Sequence, residues 1–142
     1  MSKAYVSKAL RRRVADQARH RCGYCLTPET ITGTPMEIEH IVPESRGGLT
    51  VESNLWLACK LCNDHKGERV EAPDPLTDEV VRLYNPRTQR WSKHFTWTPE
   101  GTQVIGMTPT GRATVVALKL NRSVLVDARQ VWVAVGLHPP EE

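Results

Sequence analysis

Apolar residues recur every four positions at the start of the chain, at Val6, Leu10, Val14 and Ala18. Lys8, Arg11, Arg12, Arg13 and Arg19 fill the rest of the circumference. That period predicts a helix of about four turns with one apolar stripe, ending near His20. Thr27 to Thr34 holds Pro, Gly and several Thr and reads as a loop. Met36 to Val42 alternates loosely and predicts a short strand running into Pro43. A turn follows at Glu44 to Gly48, where Gly47-Gly48 supplies backbone freedom, and a second short strand is expected at Leu49 to Val51. Asn54 to Ala58 reads as a helical turn, and Leu61 to Lys66 as a short helix stopped by Gly67.

The second half carries a different pattern. Ala72 to Leu76 holds two prolines and has the character of a hinge. Arg90 to Trp97 alternates, Pro99-Glu100-Gly101 is a turn, and Thr102 to Met107 predicts the return strand of a hairpin. Thr110 is placed as an N-cap, ahead of a helical stripe of Ala113, Val116, Ala117 and Leu120. A last helix is expected from about Ser123 to Val135, stopping before Gly136 and Pro139-Pro140. No internal repeat is visible. The expected architecture is α+β, with a core at residues 1–71 and an extension of hairpin plus helices at 72–142 that packs on it.

Composition narrows the class. A chain of 142 residues with 39% apolar and 25% charged positions suits one domain, or a compact motif with an extension. The net charge of +3 and a pI near 8.8 are compatible with a polyanionic partner without identifying one. No apolar run approaches a membrane span, and no apolar leader core follows Lys3. An intracellular, cytoplasmic location without membrane association is therefore expected.

All four cysteines fall in two CxxC pairs, Cys22/Cys25 and Cys59/Cys62. In a reducing compartment such pairs favour metal ligation over disulfides or redox chemistry. Two pairs complete a tetrahedral shell at Zn–S of roughly 2.3 Å, closed to water and substrate, so the Zn2+ it holds is structural.

Between the pairs lie Glu39-His40-Ile41-Val42-Pro43, Gly47-Gly48 and Asn54, and the second pair runs on into Asn63-Asp64-His65-Lys66-Gly67. In this order and spacing the residues resemble the HNH endonucleases, over about Ala9 to Gly67. The resemblance implies a ββα-metal fold and a metal-dependent endonuclease that hydrolyses phosphodiester bonds in DNA, presumed double-stranded. It assigns His40 as the general base that deprotonates the attacking water. Glu39 and Asn63 would hold the catalytic divalent ion, and Asn54 would fix the loop that orients His40. The residue types agree with that chemistry. An imidazole titrates near neutral pH, and carboxylate and amide oxygens favour Mg2+ or Mn2+. Two departures from the family pattern stand out: Glu39 stands where Asp is usual, and Asn63 and Gly67 stand where histidines can occur.

Other residues have plainer readings. Asn54 could equally cap a helix. Lys66 either contacts phosphate or caps its helix, His65 is expected to be exposed or to touch phosphate, and Glu37 to be exposed. The arginines of the first helix are either a solvated face or phosphate contacts. Trp56, Trp91, Trp97 and Trp132, interleaved with Arg87, Arg90, Lys93, Arg112, Lys119 and Arg122, are read as a small core in preference to a nucleic-acid surface. His94 is expected to be structural. Two other functions fit the same residues: a zinc-stabilised nucleic-acid-binding module that does not cleave, and an RNA-directed nuclease. The sequence leaves sequence specificity, strand habit and oligomeric state open.

Overall fold

The computed structural model describes residues 5–142; the segment around Lys3 lies outside them. The chain is α+β and forms two compact units. One runs to Val70 and takes back Asn85–Arg87; the other holds Glu71–Tyr84 and Thr88–Glu142.

In the first unit, α1 spans Lys8–Gln17, three residues short of the expected end. Ser7 caps it by accepting from the Leu10 amide at 3.1 Å. It stops early because Arg19 and His20 take left-handed backbone angles, which turn the chain into the first CxxC pair. Val14, Ala15 and Ala18 are its buried face, set against the strand at Leu55–Ala58. The expected loop at 27–34 contains one helical turn, α2 (Glu29–Thr32). Strand β1 (Glu37–His40) pairs antiparallel with β2 (Leu55–Ala58), in register Glu37↔Ala58 to His40↔Leu55.

The second strand is thus Leu55–Ala58, not Leu49–Val51, and the helical turn expected at 54–58 gives way to it. Leu55 and Leu57 point into the core at 0% and 1% exposure while Trp56 faces the other side, the period-2 alternation of a half-buried strand. The helical turn that does form is a 3-10 segment just upstream, Glu52–Asn54. Helix α3 (Lys60–Lys66) then begins with Cys59 as its N-cap and ends at Gly67. Asn85–Arg87 completes this unit. The Arg87 guanidinium lies 5.0 Å from the Trp56 ring centroid and donates to the Leu55 carbonyl and to Gln17.

The second unit opens with a hairpin where a hinge was expected: β3 (Glu71–Pro73) pairs with β4 (Val80–Arg82). Asp74, fully buried at its turn, is held by both nitrogens of the Arg112 fork at 2.8 and 2.9 Å. The predicted strand at 90–97 is divided between a helical turn, α4 (Trp91–His94), and β5 (Phe95–Trp97). β5 pairs with β6 (Val104–Gly106). Helix α5 (Pro109–Ala117) is capped by Thr108 rather than Thr110, with Pro109 in its first turn. Helix α6 covers Ser123–Ala134.

Aromatic rings build the core here: Trp91 stacks on Trp97 at 5.2 Å, and Phe95 meets both Trp91 and Tyr84 at 5.1 Å. His94 packs edge-on to Tyr84 and bonds Thr108 at 2.6 Å. Among the described residues, no helix is long and apolar enough to cross a membrane.

Candidate metal centre and HNH segment

The four cysteines converge. Their sulfurs all lie within 4.8 Å of one another, and none is in a disulfide. Cys25 and Cys59 stand 3.8 Å apart. Four thiolates at roughly 2.3 Å from one tetrahedral metal would be about 3.8 Å apart, so the cluster fits a structural zinc. The first pair sits on a tight turn after α1, tied to β2 by the Gly23 amide donating to Leu57. A Cβ at Gly23 would lie 2.3 Å from Trp56, so only glycine lets the knuckle approach the sheet so closely. The second pair is the first turn of α3, where the Cys62 amide donates to Cys59 Sγ. Burial pushes the Cys22 thiol up, whereas hydrogen bonds from the neighbouring thiols hold Cys25 down.

His40 ends β1, half-buried, with Nε2 at 2.8 Å from the Thr50 hydroxyl and 3.4 Å from a Glu44 carboxylate oxygen. Asn54 straps the loop that follows. Its Oδ1 accepts from the Val42 amide, and its Nδ2 donates to the carbonyls of Val42 and Leu49, all at 2.9–3.0 Å. Its own backbone carbonyl accepts from the Ile41 amide. A Cβ at Gly48 would lie 1.7 Å from the Val42 oxygen, so the strap closes only over glycine. Asn54 is therefore a loop clamp; the helix-cap alternative is not what its side chain does.

Glu39 is buried. One carboxylate oxygen accepts from the Tyr24 hydroxyl and pairs with Lys66 Nζ at 3.1 Å. Burial raises its pKa, opposed by the Lys66 charge and the Tyr24 bond. Lys66 corrects its sequence reading: its side chain is 3% exposed, with no access to phosphate. Its three ammonium protons go to Glu39 and to the carbonyls of His40 and Ile41, at 2.9–3.2 Å. Asn63 turns to Glu37, not to Glu39, its Nδ2 donating to the Glu37 carboxylate at 2.9 Å. Glu37 is thus a half-buried partner and not a bare surface acid. His65 is half-buried.

The second Glu39 oxygen is buried without a hydrogen-bond partner, and Asn63 keeps an amide oxygen that no described residue engages. By donor type both are hard oxygens of the kind Mg2+ and Mn2+ take. On α1, Arg13 is paired with Glu52 and Arg11 donates to the Met36 carbonyl, whereas Lys8 and Arg12, and Arg19 just beyond the helix, are exposed.

The sequence reading took Glu37 as exposed and did not place Glu44, Thr50 or Tyr24 beside these groups. Glu37 carried a usable signal, since it lies two residues before Glu39 on one strand face. The others meet the site only through folding.

Residues 22–69 match the family model described as HNH endonuclease, about a third of the chain. No curated protein and no solved structure matches.

Proposed function

Starting from that match, which carries a nuclease role at the level of the family, we propose that the chain is a metal-dependent endonuclease hydrolysing phosphodiester bonds in DNA. His40 takes a proton from the attacking water, whose oxygen then displaces the leaving oxygen at phosphorus. Glu39 and Asn63 hold a Mg2+ or Mn2+ ion. The chemistry it supplies is neutralisation of charge on the phosphate and leaving-group oxygens. Asn54 keeps the turn after β1 closed so that the His40 ring stays in one place, and Thr50 and Glu44 occupy its Nε2 side. That leaves Nδ1 as the nitrogen for water.

The observation that carries the reading is the clamp itself. Three side-chain bonds with Asn54 and two from Lys66 fix the short segment bearing the half-buried imidazole, more order than a surface histidine needs. Exposed Lys8, Arg12 and Arg19 then serve as phosphate contacts. The second unit, which makes up most of the extension expected at 72–142, widens the DNA footprint.

One observation favours a second reading. Lys66 already neutralises Glu39, as suits a zinc-stabilised binding module that does not cleave.

A supercoiled-plasmid assay separates them. The zinc-loaded protein is tested with Mg2+, with Mn2+ and with neither, beside His40→Ala. Nicking that needs the added metal and falls roughly 10²–10⁴-fold in His40→Ala supports the nuclease. Plasmid binding without cleavage under every condition supports the module.

A further inference from the structure

We propose that Glu37 is a positioning residue that turns the Asn63 amide so that its oxygen, and not its NH2 group, faces the catalytic ion; this rests on the metal role proposed above for Asn63. A primary amide is a ligand at one end only. Its oxygen donates a lone pair to a cation, whereas its nitrogen carries two N–H donors that repel one. The two ends are nearly isosteric, so rotation about the last side-chain bond exchanges them, and something must choose. Glu37 chooses by chemistry: an ionised carboxylate accepts only, so the bond of 2.9 Å between them requires the nitrogen on that side.

The fold fixes the pairing. Glu37 and Glu39 share one face of β1, and α3 packs on that strand, with Asn63 one turn before Lys66. The face is therefore divided between the two acids. Lys66 holds Glu39, and Asn63 holds Glu37. Glu37 also lies near Lys60, whose ammonium is stabilised first by Asp64 and additionally by Glu37. Groups that orient a ligand from behind in this way typically alter metal affinity about 10–100-fold when removed.

The test is Mn2+ binding to the zinc-loaded full chain, read from the EPR signal of free Mn2+ and needing no cleavage. Glu37→Ala is expected to weaken Mn2+ binding about 10–100-fold with zinc content and circular dichroism unchanged. Glu37→Gln should also weaken it, because a glutamine amide can donate as well as accept and no longer dictates which way Asn63 turns. It serves in place of Glu37→Ala if that variant loses zinc.

A double-mutant cycle with Asn63→Ala decides the route. If Glu37 acts only through Asn63, adding Glu37→Ala to Asn63→Ala changes nothing further. Additive losses would mean that Glu37 binds the ion itself or acts by its charge alone, and would overturn the proposal, as would wild-type affinity in Glu37→Ala. A wild-type chain that takes up no Mn2+ overturns it together with the metal role. If the cycle behaves as expected while plasmid stays intact, the inference stands and the nuclease reading falls.

Discussion

Replacing Lys66 with methionine isolates the buried ion pair at the back of the His40 strand. The two side chains are 3% and 1% exposed, so removing the ammonium leaves the Glu39 charge with only the Tyr24 hydroxyl. Breaking a buried pair by deleting one partner costs about 3–5 kcal/mol. A second route to the magnitude gives a similar figure. Glu39 can escape by taking a proton, and protonating a carboxyl of ordinary pKa near 4.3 costs about 3.7 kcal/mol at pH 7 and about 1 kcal/mol at pH 5.

The pH dependence has a definite sign. Burial already raises the Glu39 pKa in the folded state, and losing Lys66 raises it further. The penalty is therefore fully present above the folded-state pKa and fades as pH falls toward the unfolded value. Urea unfolding at fixed excess zinc, followed by amide exchange of β1 and β2, should show Lys66→Met less stable by about 3–5 kcal/mol at pH 7 and by clearly less at pH 5. Adding Glu39→Gln should recover much of the loss, since no charge is then left stranded. A loss below about 1 kcal/mol at pH 7, or one that does not change with pH, would refute the argument, because an exposed pair behaves that way.

Three further outcomes follow from the same geometry. Gly48→Ala forces a carbon against the Val42 oxygen, 1.7 Å away unless the loop opens. It should cost about 1–3 kcal/mol and depress plasmid nicking with zinc retained, and unchanged urea stability would count against it. Cys62→Ser should lose zinc and the structure of the first unit, since apparent zinc energies of about 10–16 kcal/mol couple to folding; native circular dichroism in the zinc-free variant would contradict this. Arg112 beside Asp74 lowers that carboxyl from 3.8 to about 2, so the pair stabilises the second unit above pH 3.8 and loses that contribution as pH falls toward 2. Asp74→Asn should therefore be less stable than wild type at pH 6 and match it near pH 2; a gap that stays constant over this range would refute the assignment.

The cysteine cluster, α3 and the segment around His40 were legible because their signals are local: paired cysteines and a helix stop at Gly67. β2 was not. Leu55 to Ala58 is too short to display a period, and what makes it a strand is β1, paired to it from fifteen or more residues away. Lys66 was misread for a related reason. A lysine in isolation belongs to water, and only the meeting of Glu39, His40 and Ile41 gives its three protons a buried home. The hinge expected at 72–76 failed because prolines at the edge of a hairpin cost nothing when their missing N–H faces outward. Of the tryptophans read as a core, Trp91 is buried and stacks on Trp97, while Trp97 and Trp132 are half-buried.

Because Asn85–Arg87 belongs to the first unit, that unit is not written as one uninterrupted stretch of gene. On the ribosome its sheet waits: Trp56 and the Leu55 carbonyl emerge about thirty residues before the arginine that covers them, with the β3–β4 hairpin made in between. A fragment ended at residue 71, the natural place to cut by composition, would leave that face bare. Any gene fusion or transplant that carries the cysteine-bound segment elsewhere must bring the return loop with it.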